Sequence, residues 1–309
     1  MTDFKRIRTE PLHPLFAARI HGVDIKGGVD DATFAEIEAA FDEYSVVVFP
    51  NQKLDDADLI AFSERFGPLE TMLKGFNAKS DSYLAYIGNV DPKTDTIIRT
   101  DDPRMQRQYS NELWHTDSSF KPVGAKASLL HGREVPPSGG ETSFASMRAA
   151  YDALKPGQQA ELESLVAEHW FVYSRSLTAK DDFLTEEQKA ETPPVPQALI
   201  VENPRNGRKA IYTASHAYRI LGWDMAKGRE FLDALMAHAT QEQFVYHHAW
   251  RPWDLVMWDN RAVQHRGNAF DYNRHRRVMV RSTVAGDAPT IATDEIARRL
   301  ARLPAAAAE

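Results

Sequence analysis

Trp114-His115-Thr116-Asp117, a distant His265 and the pair Arg276-Arg277 are the residues of this chain whose types and spacing could do chemistry. A His-x-Asp pair with a second, remote His is the ligand set of the two-His-one-carboxylate facial triad. Such a triad holds Fe(II) from one side and leaves three positions open for oxygen chemistry. His115 and Asp117 stand two positions apart. On a strand such residues face the same way with Cα atoms about 6.7 Å apart, so their tips can converge on one ion through bonds of roughly 2 Å. His265 must then arrive from another element, which requires the chain to fold back. Taken singly, any of the 11 histidines is more simply a hydrogen-bonded core or surface residue, and the set carries the weight.

The arginines extend the pattern. Arg277, Met279, Arg281 and Thr283 alternate with Val278, Val280 and Ser282 in a segment that reads as a strand, so one face is expected to carry both arginines. Two inward guanidiniums on an apolar strand are costly unless they meet anions. A planar guanidinium is suited to grip a carboxylate by two parallel hydrogen bonds. Arg277 is therefore expected to anchor the far carboxylate of 2-oxoglutarate, and Arg281 a second acid, from co-substrate or substrate. Arg276 stays open as the other candidate anchor. Arg277 is preferred because it shares a face with Arg281, whereas Arg274 and Arg276 read as a solvated basic face. Thr142 follows the Gly139-Gly140 turn at the start of a strand, where its hydroxyl could bond the same carboxylate. Metal set and anion anchor together point to chemistry with Fe(II), 2-oxoglutarate and O2.

The bulk properties exclude other classes. With 43% hydrophobic and 26% charged residues in 309, the chain is an ordinary globular one able to bury a large core. A formal charge of -7 and a pI near 5.9 argue against a nucleic-acid partner. The absence of cysteine excludes disulfides, thiolate zinc sites, iron–sulfur clusters and cysteine nucleophiles. Met1 to Leu12 lacks the apolar run of a signal peptide, and the apolar stretches are too short to span a bilayer. A cytoplasmic protein without a membrane partner is expected, acting on a small organic acid and assembling as a homo-oligomer.

Helices are predicted over Asp31 to Tyr44, Asp55 to Phe66, Met147 to Leu154, Gln158 to Glu168 and Ala226 to Ala239. Strands are predicted at Ser45 to Phe49, Tyr83 to Ile87, Trp114 to Asp117, Ala127 to Gly132, Glu141 to Ala145 and Arg208 to Thr213. Further strands are expected at Phe244 to Trp250, Asp254 to Trp258 and Val278 to Val284. Irregular insertions are expected near 69–111 and 174–196, with a C-terminal tail, read as a fraying helix, from about 290. No repeat or linker divides residues 1–309, so a single catalytic domain is expected. Many short strands with helices between them suggest an α+β protein built on a β-sandwich or jelly roll.

Longer ordered landmarks carry a family resemblance. These are Pro11-Leu12-His13-Pro14-Leu15-Phe16-Ala17-Ala18, Phe66-Gly67-Pro68-Leu69-Glu70 and Leu113-Trp114-His115-Thr116-Asp117-Ser118-Ser119-Phe120. With them go Val135-Pro136-Pro137-Ser138-Gly139-Gly140-Glu141-Thr142, Met147-Arg148-Ala149-Ala150-Tyr151-Asp152-Ala153-Leu154 and Asp254-Leu255-Val256-Met257-Trp258-Asp259-Asn260-Arg261. Over nearly its whole length the chain resembles the TauD/TfdA family of Fe(II)/2-oxoglutarate dioxygenases, and within it the enzymes acting on chlorophenoxyacetates and other aryloxyalkanoates.

The resemblance implies a double-stranded β-helix (a cupin-like jelly roll) with flanking helices, and His115, Asp117 and His265 as iron ligands. It implies Thr142 and Arg277 at the co-substrate, and Arg281, Asn111, His216 and Lys74 at the substrate. It further implies hydroxylation of an aryloxyacetate such as 2,4-dichlorophenoxyacetate, giving a phenol and glyoxylate together with succinate and CO2. Arg219 stands where those enzymes carry a histidine. Alternative readings are a taurine, alkylsulfonate or alkyl sulfate dioxygenase of the same family, a zinc hydrolase using the same ligands, and a non-catalytic binding module.

Overall fold

The computed structural model describes residues 4–71, 83–102, 104–178 and 184–302. In chain order the first half runs β1 (Arg8–Pro11), β2 (Ala18–His21), α1 (Asp31–Tyr44), β3 (Val46–Phe49), α2 (Asp56–Glu64), β4 (Leu84–Gly88), α3 (Met105–Ser110), β5 (Ala125–Glu134), β6 (Thr142–Ser146) and α4 (Met147–Asp152). The second half begins α5 (Pro156–Ser164), β7 (Val166–His169), α6 (Phe171–Ser176), α7 (Glu186–Glu191), β8 (Val195–Ala198), β9 (Ile200–Glu202), β10 (Lys209–Ile211) and β11 (Ala217–Ile220). It ends α8 (Met225–Ala239), β12 (Val245–His248), β13 (Leu255–Asp259), β14 (Val263–Gly267), β15 (Val278–Ala285) and α9 (Thr293–Arg302). Among the described residues no helix is long and apolar enough to cross a membrane.

A seven-stranded sheet, in the order β1-β2-β3-β13-β5-β15-β4, is the frame; a three-stranded sheet, β12-β6-β14, lies against it. The residue pattern explains why both faces of the large sheet are covered. In β3, Val47 and Phe49 join one core cluster with Phe34, Ile37 and Phe41 of α1 and Leu59 and Phe62 of α2. Val46 and Val48 point the other way, into a cluster with Phe144 of β6 and Val263 of β14. β13 alternates identically, Leu255 and Met257 toward the helices and Val256 and Trp258 toward the small sheet. Buried on both sides, these strands read as continuous apolar runs. A third cluster seals the outer side of the small sheet with α4, α8 and β9–β11. The space between the two sheets is where the site lies.

Helix ends follow local chemistry. The Asp30 carboxylate accepts from the Thr33 N–H at 2.8 Å, and α1 stops where Ser45 turns left-handed at φ 62. A reciprocal cap between Asp55 and Asp58 opens α2.

Several expectations change. Trp114 to Asp117 is not a strand, because His115 makes one isolated bridge, to His265, and the chain then turns, with Ser118 at φ 58. The helix expected from Gln158 to Glu168 ends at Ser164, and Val166–His169 is β7, paired with β8 and β11. Within the stretch 69–111 the strand expected at Tyr83 to Ile87 is β4, an edge strand of the large sheet, and the helix α3 that follows it was not expected. The stretch 174–196 contains α7, which buries none of its residues and so offers no apolar periodicity to read. The helix expected in the C-terminal tail is α9, Thr293–Arg302. Strand β14, which carries His265, was not foreseen; its five residues include only one strongly β-favouring position, Val263.

Two buried titratable groups give stability predictions. The Asp259 carboxylate, fully buried, lies 2.9 Å from the Arg261 Nε and 3.4 Å from the buried Arg148. Burial pushes its pKa up, but Arg261 and Arg148 outweigh this and hold it below the usual value. Asp259→Asn leaves two guanidiniums without their counter-charge and should cost about 3–5 kcal/mol, read from the denaturant midpoint. His169, fully buried beside Tyr212, is pushed down to about 3 by burial, which the Tyr212 backbone offsets only in part. The unfolded chain therefore binds a proton below about pH 6.5 that the folded chain refuses, so stability is lost as pH falls from there toward 3. Unfolding measured across that window should flatten by about 1.4 kcal/mol per pH unit at most in His169→Phe.

Candidate active site

His115 and His265 are joined backbone to backbone: the His115 N–H donates to the His265 carbonyl at 3.0 Å, and the His265 N–H donates back at 2.8 Å. This closely spaced antiparallel pair puts both imidazoles on one side, ring centroids 4.2 Å apart. The turn after His115 brings in Asp117, whose Oδ2 lies 3.7 Å from the His265 Nε2. One ligand atom from each of the three lies within 4.8 Å of the others, and among the described residues no other such trio occurs. Three donors around an ion at roughly 2 Å need little further closure.

Each ligand is held by a partner. The His115 Nδ1 contacts the Leu113 carbonyl at 2.7 Å, which assigns the proton to Nδ1 and leaves the Nε2 lone pair for a metal. His265 packs against Trp258, at 4.5 Å, and Phe144, at 6.2 Å, which also touch each other. The Ser128 hydroxyl on β5 donates to the Asp117 Oδ2 at 2.7 Å. Arg281 donates to Oδ1 at 2.5 Å. Asn260 is the hub: its Oδ1 accepts from the Asp117 N–H at 3.1 Å and the Trp258 indole at 3.0 Å, while its Nδ2 donates to Ser128 at 2.9 Å.

Burial lowers the pKa of His115 and of His265, the neighbouring His115 adding to the effect at the latter. Burial alone would raise Asp117, but the Arg281 guanidinium, with His265, His115 and Ser128, holds it well below the usual carboxylate range. At neutral pH the trio is one carboxylate and two neutral imidazoles. That is the donor set and charge state a divalent cation takes.

The second half of the candidate site is a buried guanidinium beside a glycine turn. Arg276 lies outside, bonded to Glu134 and Asp95 at 2.6 Å each. Arg277 is 3% exposed, its Nε has no hydrogen-bond partner, and no carboxylate pairs with it among the described residues. Burial pushes its pKa down to about 10, so it keeps its charge. The backbone of Arg277 is fixed by Asn89, whose Oδ1 accepts its N–H at 2.8 Å and whose Nδ2 donates to the Tyr272 and His275 carbonyls. A Cβ on Gly140 would stand 3.5 Å from the Arg277 Nε, so the glycine turn lies against this guanidinium. Thr142, two residues on and 2% exposed, accepts from the Trp250 indole at 3.0 Å. By contrast, in a cleft lined by Lys126, Lys209, Arg261 and Arg299, the last three pair with Glu163, Asp259 and Glu295, and Lys126 donates to the Phe66 carbonyl.

The structure thus gathers His115, Asp117, His265 and Arg281 around one point, and sets Thr142 and Arg277 beside the same glycine turn. The strand-face argument holds for Met279, Arg281 and Thr283, but Arg277 precedes β15, which shifts register between Val278 and Met279. His216 is buried against Phe120 and Phe171, with Nδ1 3.3 Å from the Ser119 hydroxyl. Asn111 reaches the site through its backbone, its carbonyl accepting from the Gly267 N–H at 2.8 Å. Lys74 lies outside the described residues. Arg219 pairs with Glu168 across the β11–β7 ladder. Sequence reasoning missed Ser128, Asn260, Asn89 and Trp250. The landmark Trp258-Asp259-Asn260-Arg261 flagged Asn260 without a role, and nothing in the sequence singled out the others.

Two outcomes test this geometry. His265→Ala should abolish tight Mn(II) binding in a paramagnetic titration. Asn260→Ala should keep the ligands yet weaken Mn(II) by about tenfold, since the carboxylate loses its orientation.

Comparison with known proteins places the chain. Residues 8–283 match the family model described as "Taurine catabolism dioxygenase TauD, TfdA family". The chain is 43% identical over 284 residues to the alpha-ketoglutarate-dependent 2,4-dichlorophenoxyacetate dioxygenase of Cupriavidus pinatubonensis, covering 90% of this chain and 97% of that one. It is 36% identical over 283 residues to the (S)-phenoxypropionate/alpha-ketoglutarate-dioxygenase of Sphingobium herbicidovorans, covering 90% and 94%. The solved structure of AAD-2 in complex with Mn(II) and N-oxalylglycine matches with a TM-score of 0.85 at 39% identity, over 93% of this chain and 99% of that one. With its buried His-Asp-His trio and a family match running from β1 into β15, the chain belongs to the TauD/TfdA family of dioxygenases.

Proposed function

We propose that the protein is an Fe(II)- and 2-oxoglutarate-dependent dioxygenase that hydroxylates an aryloxyalkanoic acid, with an aryloxyacetate such as 2,4-dichlorophenoxyacetate as the reference substrate. The observation that carries this reading is a neutral-imidazole, carboxylate trio set near a buried arginine, Arg277, that has no acid partner among the described residues. A zinc hydrolase would use the trio but leave that buried charge without a task. The names of the relatives supply the aryloxy acid. The jelly-roll description of the two packed sheets, and a single catalytic domain spanning residues 1–309, are part of the same proposal.

In this reading His115, Asp117 and His265 hold Fe(II), and Arg277 with Thr142 grips the far carboxylate of 2-oxoglutarate. Iron, 2-oxoglutarate and O2 together supply the oxidising power, with succinate and CO2 as by-products. The chain contributes geometry and charge. Ser128 and Asn260 keep the Asp117 carboxylate aimed, Trp258 and Phe144 exclude water from His265, and the substrate's acid group lies against Arg281. Asn111, His216 and Lys74 complete the substrate side. Hydroxylation of the carbon beside an ether oxygen gives a hemiacetal, which collapses to a phenol and glyoxylate. No side chain needs to act as a general base.

The test is anaerobic addition of Fe(II) and 2-oxoglutarate, which should produce a visible charge-transfer band, followed by O2 and a panel of acids. Aryloxyacetates should release phenol with one succinate per turnover. Sulfite release from taurine in preference to phenol release would instead favour a sulfonate substrate. Arg277→Met should remove the band at 2-oxoglutarate concentrations that saturate the parent protein, whereas Arg281→Ala should keep it and uncouple substrate oxidation.

A further inference from the structure

Trp250 occupies a place that the roles above leave unused. It lies two residues beyond His248, which pairs with Thr142 in the β12–β6 ladder, so the chain leaving β12 curls its indole back over that threonine. The ring is tightly seated. His248 meets it edge-on at 4.6 Å and 89°. A Cβ on Gly132 would stand 3.0 Å from its Cε3, so a larger residue there would press on the indole. The following loop is tied to Gly132 in both directions: the Trp253 N–H donates to the Gly132 carbonyl at 2.6 Å, and the Gly132 N–H donates to the Asp254 carbonyl at 2.9 Å.

An indole N–H donates and cannot accept. The Thr142 oxygen therefore spends a lone pair on Trp250, and its own proton must point to some other acceptor. Thr142 is 2% exposed, and among the described residues no other hydrogen-bond partner of its hydroxyl occurs.

We infer that Trp250 is a positioning residue for co-substrate selection: by donating to Thr142 it fixes that hydroxyl as a donor, so the cradle beside Arg277 accepts a carboxylate and disfavours any group that is not an acceptor. The inference rests on the reading of Thr142 and Arg277 as the seat of the distal carboxylate of 2-oxoglutarate. Trp250 touches neither metal nor reacting atoms in this scheme. Its effect is confined to the far end of the keto acid, and a merely structural tryptophan would not show that confinement.

The experiment is calorimetric binding to the Mn(II)-loaded protein of 2-oxoglutarate and of 2-oxobutyrate, which lacks the distal carboxylate. Trp250→Phe keeps the packing and removes the donor. It should weaken 2-oxoglutarate by about two- to tenfold, the worth of one hydrogen bond, and leave 2-oxobutyrate and Mn(II) affinity unchanged. Thr142→Val should do the same, and the double variant should be no worse than either, since both remove one shared interaction. Unchanged 2-oxoglutarate affinity in Trp250→Phe, or equal loss for both keto acids, overturns the inference. Arg277→Met separates the levels. If it abolishes the preference for 2-oxoglutarate while Trp250→Phe does nothing, the co-substrate reading stands and the inference falls. If Arg277→Met leaves the preference intact, the co-substrate reading itself falls.

Discussion

The backbone pairing of His115 with His265 is the contact on which the rest of the site depends. Two N–H···O bonds between residues remote in sequence convert a turn and a strand into a single platform for two imidazoles. Closely spaced antiparallel pairs bring side chains on one face to within a few ångströms, so the pairing needs no help from the metal to hold the rings together. The turn that follows then has only to deliver Asp117. That turn is itself pinned from the large sheet by Asn260 and Ser128, so both sheets contribute to one donor set. The space between the sheets is therefore more than a packed core: its apolar walls, Trp258 and Phe144, set the low-dielectric surroundings that keep the histidines neutral.

Charge follows from the same enclosure. A buried guanidinium is tolerated where an anion meets it, and the two inner arginines differ in this respect. Arg281 meets Asp117 within the protein, whereas Arg277 has no acid partner among the described residues, its backbone fixed by Asn89 and its guanidinium beside a glycine turn. Folding thus carries into the interior a cation that no described acid neutralises, at a cost offset elsewhere, and the proposed carboxylate role of Arg277 rests on this. The neighbouring Arg276, bonded to Glu134 and Asp95 at the surface, shows how differently adjacent residues of one type can be used.

The ligand trio, the pair Arg277 and Arg281, and the central strands β3, β5 and β13 were legible because each has a strong local signature: a metal-ligand spacing, alternation of charge with valine, or continuous β-branched runs. The small elements were less legible for definite reasons. β14 is short and polar, α7 buries nothing, and β7 follows α5 so closely that helical and extended periods blur. Trp114 to Asp117 looks like a strand because its residues suit one, yet only His115 makes a bridge, to His265, before Ser118 turns the chain, while the Trp114 carbonyl and the Asp117 N–H bond to Ser215 and Asn260.

The sequence by itself determined which chemistry the chain could support, since donor types, absent cysteines and the alternation of arginine with apolar residues are properties of residues. It also determined the two-faced burial of the central strands, since alternation with period two is a local rule. Only the tertiary structure decided that Arg277 lies inside and Arg276 outside, that Asn260 steers Asp117, and that Trp250 caps Thr142. Each of these rests on hydrogen bonds between residues brought together by sheet pairing. Their geometry is fixed by register and enclosure, to which no window of neighbouring residues has access.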